Sequence, residues 1–562
     1  MNKKKIYKKI FAGFMSTAIL CSILPAPYAL NQNSASSSFF TVNAEETSSS
    51  VVYSTGFEDG KNDFTGRGGV ELLKIVNNDS YSGTSCLECS NREKGWHGPW
   101  ISLDNLLEPG IEYIVSTKAK TQWYNNINLK LDYTDSTGIR HYIDVLSAVS
   151  EGNWVDMSNG KFIIPKNVTN PYLYFECNDT ANIYVDDFEI KTAPVYEIQQ
   201  NIPSLKDIYS SYFKIGGAVT TSELAPKAAQ DLIKKHYNSL TPGNELKPDA
   251  LLDQSATIAS GSNTNPMVNI SSAREILDFC RDNNISVRGH VLVWHSQTPD
   301  WFFKEGFSDN GDWVSKEIML QRMENYIKNV FDALEKEYPT VDFYAWDVVN
   351  EAWLDNGSPR TGGGQSENPN YSAWVKIFGD NSFIEPAFEY ARKYAPDGCK
   401  LYYNDFNEYM PDKTQAIVNM ANELKDKGLI DGIGMQSHLA VDFPSASVYK
   451  KALKAFVDTG LDIQVTELDI TTTDLTESGF EKQAQIYNEI MDACEEYSDS
   501  ISAVVFWGTT DDKSWRASKC PLLFNEDFTA KPAYYSIIEG LEIPKPTTPS
   551  PEYSKGDIDK DN

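Results

Sequence analysis

Two glutamates at the ends of apolar, strand-like runs have the character of paired catalytic carboxylates. Glu351 ends the run 343–351, and Glu467 lies near the end of the run 463–470. Hydrolysis of a glycosidic bond needs one carboxylic acid to protonate the leaving oxygen, while a second carboxylate attacks the anomeric carbon or activates water. The two groups lie about 5–5.5 Å apart in retaining enzymes and about 6.5–9.5 Å apart in inverting ones. The sequence does not give this distance, and both mechanisms stay open at this point.

Eight strand-like runs alternate with helical stretches and must position these glutamates. The predicted strands are 213–220, 239–244, 287–295, 343–351, 400–407, 432–439, 463–470 and 503–511. The predicted helices are 225–237, 272–283, 316–338, 384–394, 413–426, 446–459, 481–497 and 532–541. Eight such units over roughly 330 residues predict a (β/α)8 TIM barrel, in which functional side chains gather at the carboxyl ends of the strands. Strands 4 and 7 then face each other across the barrel mouth.

Polar and aromatic residues also stand at the ends of other predicted strands, as in 289–297 and 403–405. Their convergence on one barrel mouth is difficult to explain by stability alone, because buried polar groups are costly without partners. Two structural alternatives remain open. Trp294 and Trp507 could belong to the core, and His290 could be an ordinary buried residue with a satisfied hydrogen bond.

Residues 51–192 show a different pattern, which predicts a separate all-β domain. Short alternating runs at 111–119, 127–133, 172–176 and 183–190 are divided by Gly, Asn and Asp turns. This spacing predicts a β-sandwich in front of the barrel, which we assign to residues 203–541. The chain is thus predicted to be multidomain.

The two ends of the chain carry segments outside these domains. Residues 1–44 contain five lysines before an apolar run and then a small-residue cleavage site, which predicts a signal peptide and secretion to the extracellular space. Residues 542–555 are a Pro/Thr-rich linker. Residues 556–562 begin an acidic D-x-D-x-D pattern typical of a calcium loop, but the sequence ends before a complete set of ligands. The alternative for this tail is a solvated acidic segment.

Composition excludes several classes of function. The net charge of −29 argues against a nucleic-acid partner, because phosphate binding needs a basic surface. The N-terminal apolar run is too short to favour a membrane span. Seven cysteines follow residue 44, and their odd, sparse distribution is not that of a disulfide framework. The six histidines lack metal-binding spacing, so we expect no catalytic metal or cofactor. We also expect a monomer.

Residues 203–541 resemble glycoside hydrolase family 10, the xylanases. The resemblance is carried by the segments 241–248, 289–297, 346–351, 434–438 and 466–469. It implies an endo-1,4-β-xylanase with a retaining mechanism, in which Glu351 is the general acid/base and Glu467 is the nucleophile. Many members of the family have Glu where Gly243 stands here, which puts one sugar contact in doubt.

The resemblance also implies a set of residues that bind sugar or support the carboxylates. Asn350 would contact the 2-hydroxyl, Gln436 would lie near the acid/base, and His438 would hold the nucleophile with Asp469 behind it. The implied sugar-binding residues are Asn244, Lys247, His290, Gln297, Trp294 as a floor, and Trp507 and Trp515 as a cap.

Residues 51–192 resemble carbohydrate-binding module family 22, through segments that include 57–60, 66–68, 91–99 and 172–176. The resemblance implies a jelly-roll sandwich that binds xylan and often holds a structural calcium ion. The implied cleft residues are Arg67, Trp96, Tyr142, Tyr172 and Glu176. The alternative is a domain that stabilises the chain without binding sugar.

The tail at 556–562 is similar to the start of a dockerin repeat, which implies docking onto a cohesin of a cellulosome scaffold.

Two alternatives to a xylanase stay open for the barrel. A non-catalytic xylan-binding protein would not need two opposed carboxylates. A β-1,4-glucanase would need room for the C6 hydroxymethyl group, and the Lys247, His290 and Trp507 set resembles xylan-specific pockets instead.

Overall fold

The computed structural model describes residues 49–77, 79–135, 138–363 and 368–542, all within one compact unit. The predicted signal peptide, the tail and all but the first residue of the linker lie outside these residues. Within the described part of the chain, no helix is long and apolar enough to cross a membrane. The cysteines of this part are all free, and six of the seven are buried.

The N-terminal domain is a sandwich of two antiparallel sheets. Its strands are β1 (Val51–Thr55), β2 (Thr65–Gly66), β3 (Leu72–Val76), β4 (Cys86–Ser90), β5 (Pro99–Ser102), β6 (Glu112–Thr121), β7 (Tyr124–Thr134), β8 (Arg140–Glu151), β9 (Val155–Ile163), β10 (Thr169–Cys177) and β11 (Ile183–Thr192). One sheet has the order β3-β4-β11-β6-β9, with β1 beside β11, and the other has the order β2-β5-β10-β7-β8. Alternating apolar residues of both sheets meet in a core that includes Leu129, Phe175 and Phe188.

The C-terminal domain is a closed barrel of eight parallel strands, as predicted. The strands of this region are β12 (Lys214–Val219), β13 (Ser239–Pro242), β14 (Leu252–Asp253), β15 (Met267–Val268), β16 (Ser286–Trp294), β17 (Phe343–Asn350), β18 (Lys400–Asp405), β19 (Gly432–Met435), β20 (His438–Ala440), β21 (Asp462–Thr471) and β22 (Ile501–Phe506). The ring runs β12-β13-β16-β17-β18-β19-β21-β22 and closes between β22 and β12. Strands β14 and β15 form a small separate antiparallel sheet, and β20 is a short extension beside β21.

Helices surround the barrel and cover its outer face. The α-helices are α1 (Leu205–Ile208), α2 (Thr221–Leu224), α3 (Lys227–His236), α4 (Pro248–Leu251), α5 (Gln254–Ser260), α6 (Arg274–Asn283), α7 (Lys316–Glu337), α8 (Ala373–Phe378), α9 (Ile384–Tyr394), α10 (Pro411–Asp426), α11 (Ala446–Val457), α12 (Glu477–Glu496) and α13 (Pro532–Ile537). Short 3-10 turns occupy Tyr209–Ser211, Ser271–Ala273, Asp300–Phe303, Glu305–Phe307, Asp511–Lys513 and Ala517–Lys519. The apolar sides of these helices and the barrel strands share one continuous core.

The sixth barrel strand differs from its prediction, because it is broken where the sequence indicates one run. Strand β19 ends at Met435, and β20 begins at His438. Between them Ser437 adopts a left-handed φ of 60°, and its buried hydroxyl donates to Oε1 of Glu408 at 3.1 Å. After the break the chain pairs with β21, which sets His438 directly beside Asp469.

A buried ion pair lies inside the barrel below its mouth. The two terminal nitrogens of Arg288, Nη1 and Nη2, each donate to one carboxylate oxygen of Asp347, and both side chains are fully buried. The Nε of Arg288 also donates to Gln464 at 2.9 Å. This fork–fork arrangement satisfies the charges and fixes Asp347 under His290, whose Nδ1 lies 2.8 Å from the same carboxylate.

Candidate active site

A cleft of about 760 Å³ opens at the carboxyl ends of the barrel strands. Each of the twelve residues predicted to act on or bind sugar in the barrel lines this cleft: Asn244, Lys247, His290, Trp294, Gln297, Asn350, Glu351, Gln436, His438, Glu467, Trp507 and Trp515. Asp469, predicted to stand behind His438, lies outside the lining and contacts that histidine. The structure therefore brings the predicted barrel residues together at one place.

Glu467, on β21, is held by two hydrogen bonds. Its Oε1 accepts from Nδ2 of Asn404 at 2.7 Å, and its Oε2 lies 3.1 Å from Nε2 of His438. Burial would raise the pKa of Glu467, but the hydrogen bond from His438 and the nearby His290 outweigh it and lower the pKa below its usual value. Glu467 is therefore an ionised carboxylate, as a nucleophile must be.

His438 supplies the positive charge beside Glu467. Its Nδ1 lies 3.0 Å from Oδ2 of Asp469, so the ring stands between two carboxylates. Burial would lower the pKa of His438, but Asp469 and Glu467 overcome that effect and raise the pKa to about 10. The ring is thus an imidazolium near neutral pH, and both of its N–H groups donate.

Glu351 follows β17 in a backbone conformation that is rare for a residue with a side chain. Its φ is 56°, in the left-handed region, a conformation that costs about 1–3 kcal/mol and persists only where the surroundings impose it. Three hydrogen bonds do so. The amide of Glu351 donates to the carbonyl of Asn404 at 2.9 Å, Nε of Arg360 donates to the carbonyl of Glu351, and the amide of Ala352 donates to the hydroxyl of Tyr403 at 2.9 Å.

The Glu351 carboxyl group points into the cleft among amides. Its Oε1 accepts from Nε2 of Gln436 at 3.0 Å and from Nδ2 of Asn350 at 3.2 Å. On its other side, Oε2 lies 3.7 Å from Arg360 and 3.9 Å from Nδ1 of His295. Burial and the positive charge of Arg360 lower the pKa of His295 to about 2, so this ring is neutral.

Amide side chains connect the two carboxylates. Oδ1 of Asn350, next to Glu351, accepts from Nδ2 of Asn404 at 3.0 Å, and that same amide donates to Glu467. Oδ1 of Asn404 accepts in turn from the hydroxyl of Thr466 at 2.7 Å, which fixes the orientation of the amide. The relative placement of the two glutamates is therefore set by buried, hydrogen-bonded groups rather than by loops.

Hydrogen-bonding groups line the wall of the cleft around Lys247. Its Nζ donates to Oδ1 of Asn244 at 2.9 Å and to Oε1 of Gln297 at 2.8 Å, and it lies 5.3 Å from the centre of the Trp294 ring. Donors and acceptors placed beside an indole face suit a sugar, which offers hydroxyl groups at its edge and C–H groups on its faces.

Two tryptophans from the segment after β22 cover this wall. The ring centres of Trp507 and Trp515 lie 6.3 Å and 5.2 Å from that of His438. Trp515 is 68% exposed, and its indole nitrogen donates to Oδ2 of Asp469 at 3.0 Å. Both aromatic side chains therefore border the space next to Glu467. Trp294 and Trp507, for which a core role stayed open, are only half-buried and line the cleft.

The structure adds residues that the sequence analysis did not assign. Asn404 contacts both catalytic candidates, and Tyr403 and Arg360 hold the Glu351 backbone. Asn404 and Tyr403 could have been found, because they stand at the end of the fifth predicted strand. Arg360 lies in a loop, where no periodic pattern marks it.

The sandwich has its own candidate sugar site on the sheet that contains β10. The guanidinium carbon of Arg67 lies 3.6 Å from the ring centre of Tyr174, 5.3 Å from that of Tyr142 and 5.4 Å from that of Trp96. Nη2 of Arg67 donates to Asp132 at 2.9 Å. These contacts bring three of the five predicted residues together around one cation.

The other two predicted residues lie on the same strand, on either side of Tyr174. Glu176 pairs with Lys130 at 3.1 Å, and the Tyr172 ring packs against Trp100 with ring centres 4.8 Å apart. Tyr172 lines a separate small pocket with Trp100 and Arg140, while Tyr174, which was not predicted, is the buried ring that stacks on Arg67. The period-2 alternation of β10 could have indicated it, because Tyr172, Tyr174 and Glu176 share one face.

The calcium ion implied for the sandwich stays a prediction. No group of three or more His, Cys, Asp or Glu in the described residues is arranged to hold a metal. An ion would have to combine carboxylates with backbone carbonyl oxygens, which calcium accepts.

Taken together, the barrel and its paired carboxylates define a glycoside hydrolase with an attached binding domain. Residues 204–540 match the model of glycosyl hydrolase family 10, and residues 49–182 match a carbohydrate binding domain. The chain belongs to glycosyl hydrolase family 10. The prediction of a family 10 barrel preceded by a carbohydrate-binding module is confirmed at this level.

Curated relatives agree with this membership. The chain is 53% identical over 335 residues to the bifunctional endo-1,4-beta-xylanase XylA of Ruminococcus flavefaciens. The matched residues cover 60% of this chain and 34% of that protein. It is 39% identical over 485 residues to endo-1,4-beta-xylanase Y of Acetivibrio thermocellus, which covers 83% of this chain and 44% of the relative. The chain thus spans less than half the length of these two relatives.

Solved structures give the same result. The chain is similar to the CBM22-1–GH10 modules of the Clostridium thermocellum endo-1,4-beta-D-xylanase 10B complexed with xylohexaose, with a TM-score of 0.58, 37% identity, and coverage of 88% of this chain and 97% of that one. It is also similar to an intracellular xylanase of Thermoanaerobacterium saccharolyticum, with a TM-score of 0.53, 36% identity, and coverage of 60% and 99%.

The charge state of His438 can be measured by NMR titration of the histidine ring signals. We expect His438 to stay charged above pH 8 in the wild-type protein and to lose its proton near pH 10. The Asp469→Asn variant should lower this pKa by about 1–3 units, because it removes a neighbouring negative charge.

Because its pKa is raised on folding, His438 should contribute stability that is complete below about pH 6.5 and is lost as the pH rises through about 10.

His236 provides the internal control for this titration. It is buried away from the cleft, and burial lowers its pKa to about 3, so its signal should stay that of a neutral ring in both proteins. A wild-type His438 that titrates near pH 6.5 would contradict the assigned role of Asp469.

Proposed function

We propose that this protein is an endo-1,4-β-xylanase that hydrolyses the internal β-1,4-xylosidic bonds of xylan with retention of configuration. The observation that carries the proposal is the pair formed by Glu351 and Glu467 in one cleft, joined through buried amides, with an imidazolium beside only one of them. Such asymmetry gives the two carboxylates different tasks, as retaining hydrolysis requires.

In the first step, the ionised carboxylate of Glu467 attacks the anomeric carbon, and the bond to the leaving oxygen breaks. Glu351 donates its proton to that oxygen, so the departing sugar leaves as an alcohol. The result is a glycosyl ester on Glu467 and a carboxylate on Glu351. The amide of Asn350, beside Glu351, is placed to donate to the sugar 2-hydroxyl, an interaction that strengthens as charge develops on the ring.

In the second step, Glu351 takes a proton from a water molecule as the water attacks the anomeric carbon. The ester bond breaks, Glu467 regains its negative charge, and Glu351 is again protonated. The hydrogen bonds from His438 and Asn404 favour Glu467 both as the attacking carboxylate and as the leaving group. The two inversions together give a product of the original β configuration.

The names of the relatives favour xylan over β-1,4-glucan as the substrate of this chain. Of eight similar curated proteins, seven are named endo-1,4-beta-xylanases, and one is named exoglucanase XynX. In the lining of the cleft, the Trp507 and His290 rings meet edge to face with their centres 5.5 Å apart, and Lys247 lines the same cleft. We propose that these three residues leave no room for a C6 hydroxymethyl group. Hydrolysis of cello-oligosaccharides at a comparable rate would contradict that part.

For the sandwich, we propose the family 22 assignment and a role in binding xylan. The similarity to the solved CBM22-1–GH10 pair and the aromatic cluster around Arg67 support it. For the whole chain, we propose secretion directed by residues 1–44, action as a monomer, and, if a dockerin follows the tail, attachment to a cohesin of a cellulosome scaffold.

The first test replaces each catalytic candidate in turn. We expect Glu351→Ala and Glu467→Ala each to lower xylan hydrolysis by about 10³-fold or more while the fold is retained. With an aryl xyloside, added azide should rescue Glu467→Ala and give an α-linked azide, because azide then attacks the face that Glu467 has vacated. Rescue of Glu351→Ala should instead give the β-linked azide.

Glu385→Ala is the matched control, because Glu385 lies on the outside of the barrel in an ion pair with Lys427. Its activity should equal that of the wild type. Wild-type rates in either cleft variant, or the reversed pair of azide products, would contradict the assignment.

A second test concerns the sandwich. In the inactive Glu351→Ala background, isothermal titration with xylohexaose should show two classes of site, one in each domain. Trp96→Ala should remove one class or weaken it by about tenfold or more, because an exposed aromatic anchor is lost from the Arg67 cluster. Trp123→Ala is the control, since Trp123 is 45% exposed, close to the 43% of Trp96, and bonds Asp179 instead. If the Glu351→Ala variant with an unchanged sandwich shows only one class of site, the sandwich stabilises the chain and does not bind xylan.

A further inference from the structure

A chain of alternating charges joins the sandwich to the segment that covers the cleft. Lys161, on β9, lies with its Nζ 3.1 Å from Oδ2 of Asp512 and also contacts Glu526. Lys513 follows Asp512 in the sequence, and its Nζ lies 2.8 Å from Oε1 of Glu112 on β6. The order Glu526, Lys161, Asp512, Lys513, Glu112 alternates in sign, and its two members from the sandwich are Lys161 and Glu112.

Four of the five members of this charged cluster are mostly shielded from water, and Glu526 is 54% exposed. The side chains of Lys161, Asp512, Lys513 and Glu112 are 23%, 18%, 19% and 20% exposed. Burial would raise the pKa of Asp512, but Lys513 and Lys161 outweigh it and lower the pKa below its usual value. A network of partly buried charges is worth more than isolated surface pairs, which contribute little.

The barrel residues of this cluster lie on the segment that carries the cap of the cleft. Asp512 and Lys513 end the 3-10 turn Asp511–Lys513, and Trp515 follows two residues later. Lys513 itself lines the cleft. Any shift of this turn therefore moves the indole ring that borders the sugar.

The same segment is attached on its other side to the support of the nucleophile. Asp469, which bonds His438, accepts from Nε1 of Trp515 at 3.0 Å and from Nη1 of Arg516 at 2.6 Å. Trp515 nevertheless remains 68% exposed, so apart from its edge-to-face contact with the His438 ring, packing contributes little to its placement. Its position depends on the hydrogen bonds on one side and on the turn on the other.

We propose that Lys161 and Glu112 of the sandwich are positioning residues for the reaction, because their ion pairs hold the turn 511–513 and thereby keep Trp515 over the sugar pocket. The sandwich then acts on catalysis through the structure of the cleft, in addition to any sugar that it binds itself. This inference rests on the proposed xylanase activity. It assigns the module a task that neither sugar binding nor global stability requires.

The proposal makes a specific kinetic prediction. When the turn is released, Trp515 spends less time over the pocket, and substrate and transition state lose the same contact. KM should then rise by about two- to tenfold while kcat stays nearly constant. High salt should raise the wild-type KM in the same direction, because it screens the ion pairs.

A double-mutant cycle on the full chain tests whether Lys161 acts through Trp515. Hydrolysis of xylohexaose is measured for the wild type, Lys161→Met, Trp515→Ala and the double variant. Lys161→Met should raise KM in the wild-type background but add little in the Trp515→Ala background, because the cap is already absent. Lys161→Arg should restore the wild-type KM, and Glu112→Gln, which changes charge without changing volume, should act like Lys161→Met.

Lys118→Met is the control, because Lys118 forms a 2.8 Å ion pair with Asp156 within the sandwich and its loss removes the same charge from the same sheet. Its KM should equal that of the wild type, and melting curves show whether any variant is globally destabilised. Additive effects in the cycle, an unchanged KM in Lys161→Met and Glu112→Gln, or an equal effect of Lys118→Met would each overturn the proposal. An inactive wild type would instead overturn the proposed function.

Discussion

The hydrogen bond between the His438 imidazolium and Glu467 is the interaction on which the rest of the site depends. A carboxylate this deeply buried would otherwise take up a proton and lose its ability to attack carbon. Asp469 keeps His438 charged, and the break between β19 and β20 places the two residues side by side. Asp469 also accepts hydrogen bonds from Trp515 and Arg516, so the residue that maintains the charge also anchors the cap of the cleft.

The barrel contributes rigidity where the chemistry needs fixed positions. Glu351 is held in a left-handed conformation because its carbonyl accepts from Arg360, its amide donates to Asn404, and the next amide, of Ala352, donates to Tyr403. The Asn404 side chain also connects Asn350 to Glu467. Below them, the buried pair of Arg288 and Asp347 fixes His290. Conformational strain at the acid/base and buried charge beneath it are typical of functional sites, where surrounding structure imposes what local preference opposes.

The barrel and its glutamates could be predicted from the sequence because parallel strands buried on both faces give long apolar runs, and their ends carry the polar residues. The break in the sixth strand could not, since it depends on a hydrogen bond between Ser437 and the distant Glu408. Arg360 lies in a loop without a periodic pattern. The contacts of Lys161 with Asp512 join residues more than 350 positions apart, and only the folded chain reveals them. The alternation of β10 was enough to place Tyr174 on the same face as Tyr172 and Glu176.

The central claim is that both carboxylates act in a double displacement, and the configuration of the first product tests it most directly. The full chain is mixed with unbranched xylohexaose, and proton NMR follows the anomeric signals before mutarotation equilibrates them. The account predicts that the β-anomer of the new reducing end appears first and the α-anomer later. If the α-anomer appears first, Glu467 activates water instead of attacking carbon, and the assignment of Glu467 as a nucleophile is wrong.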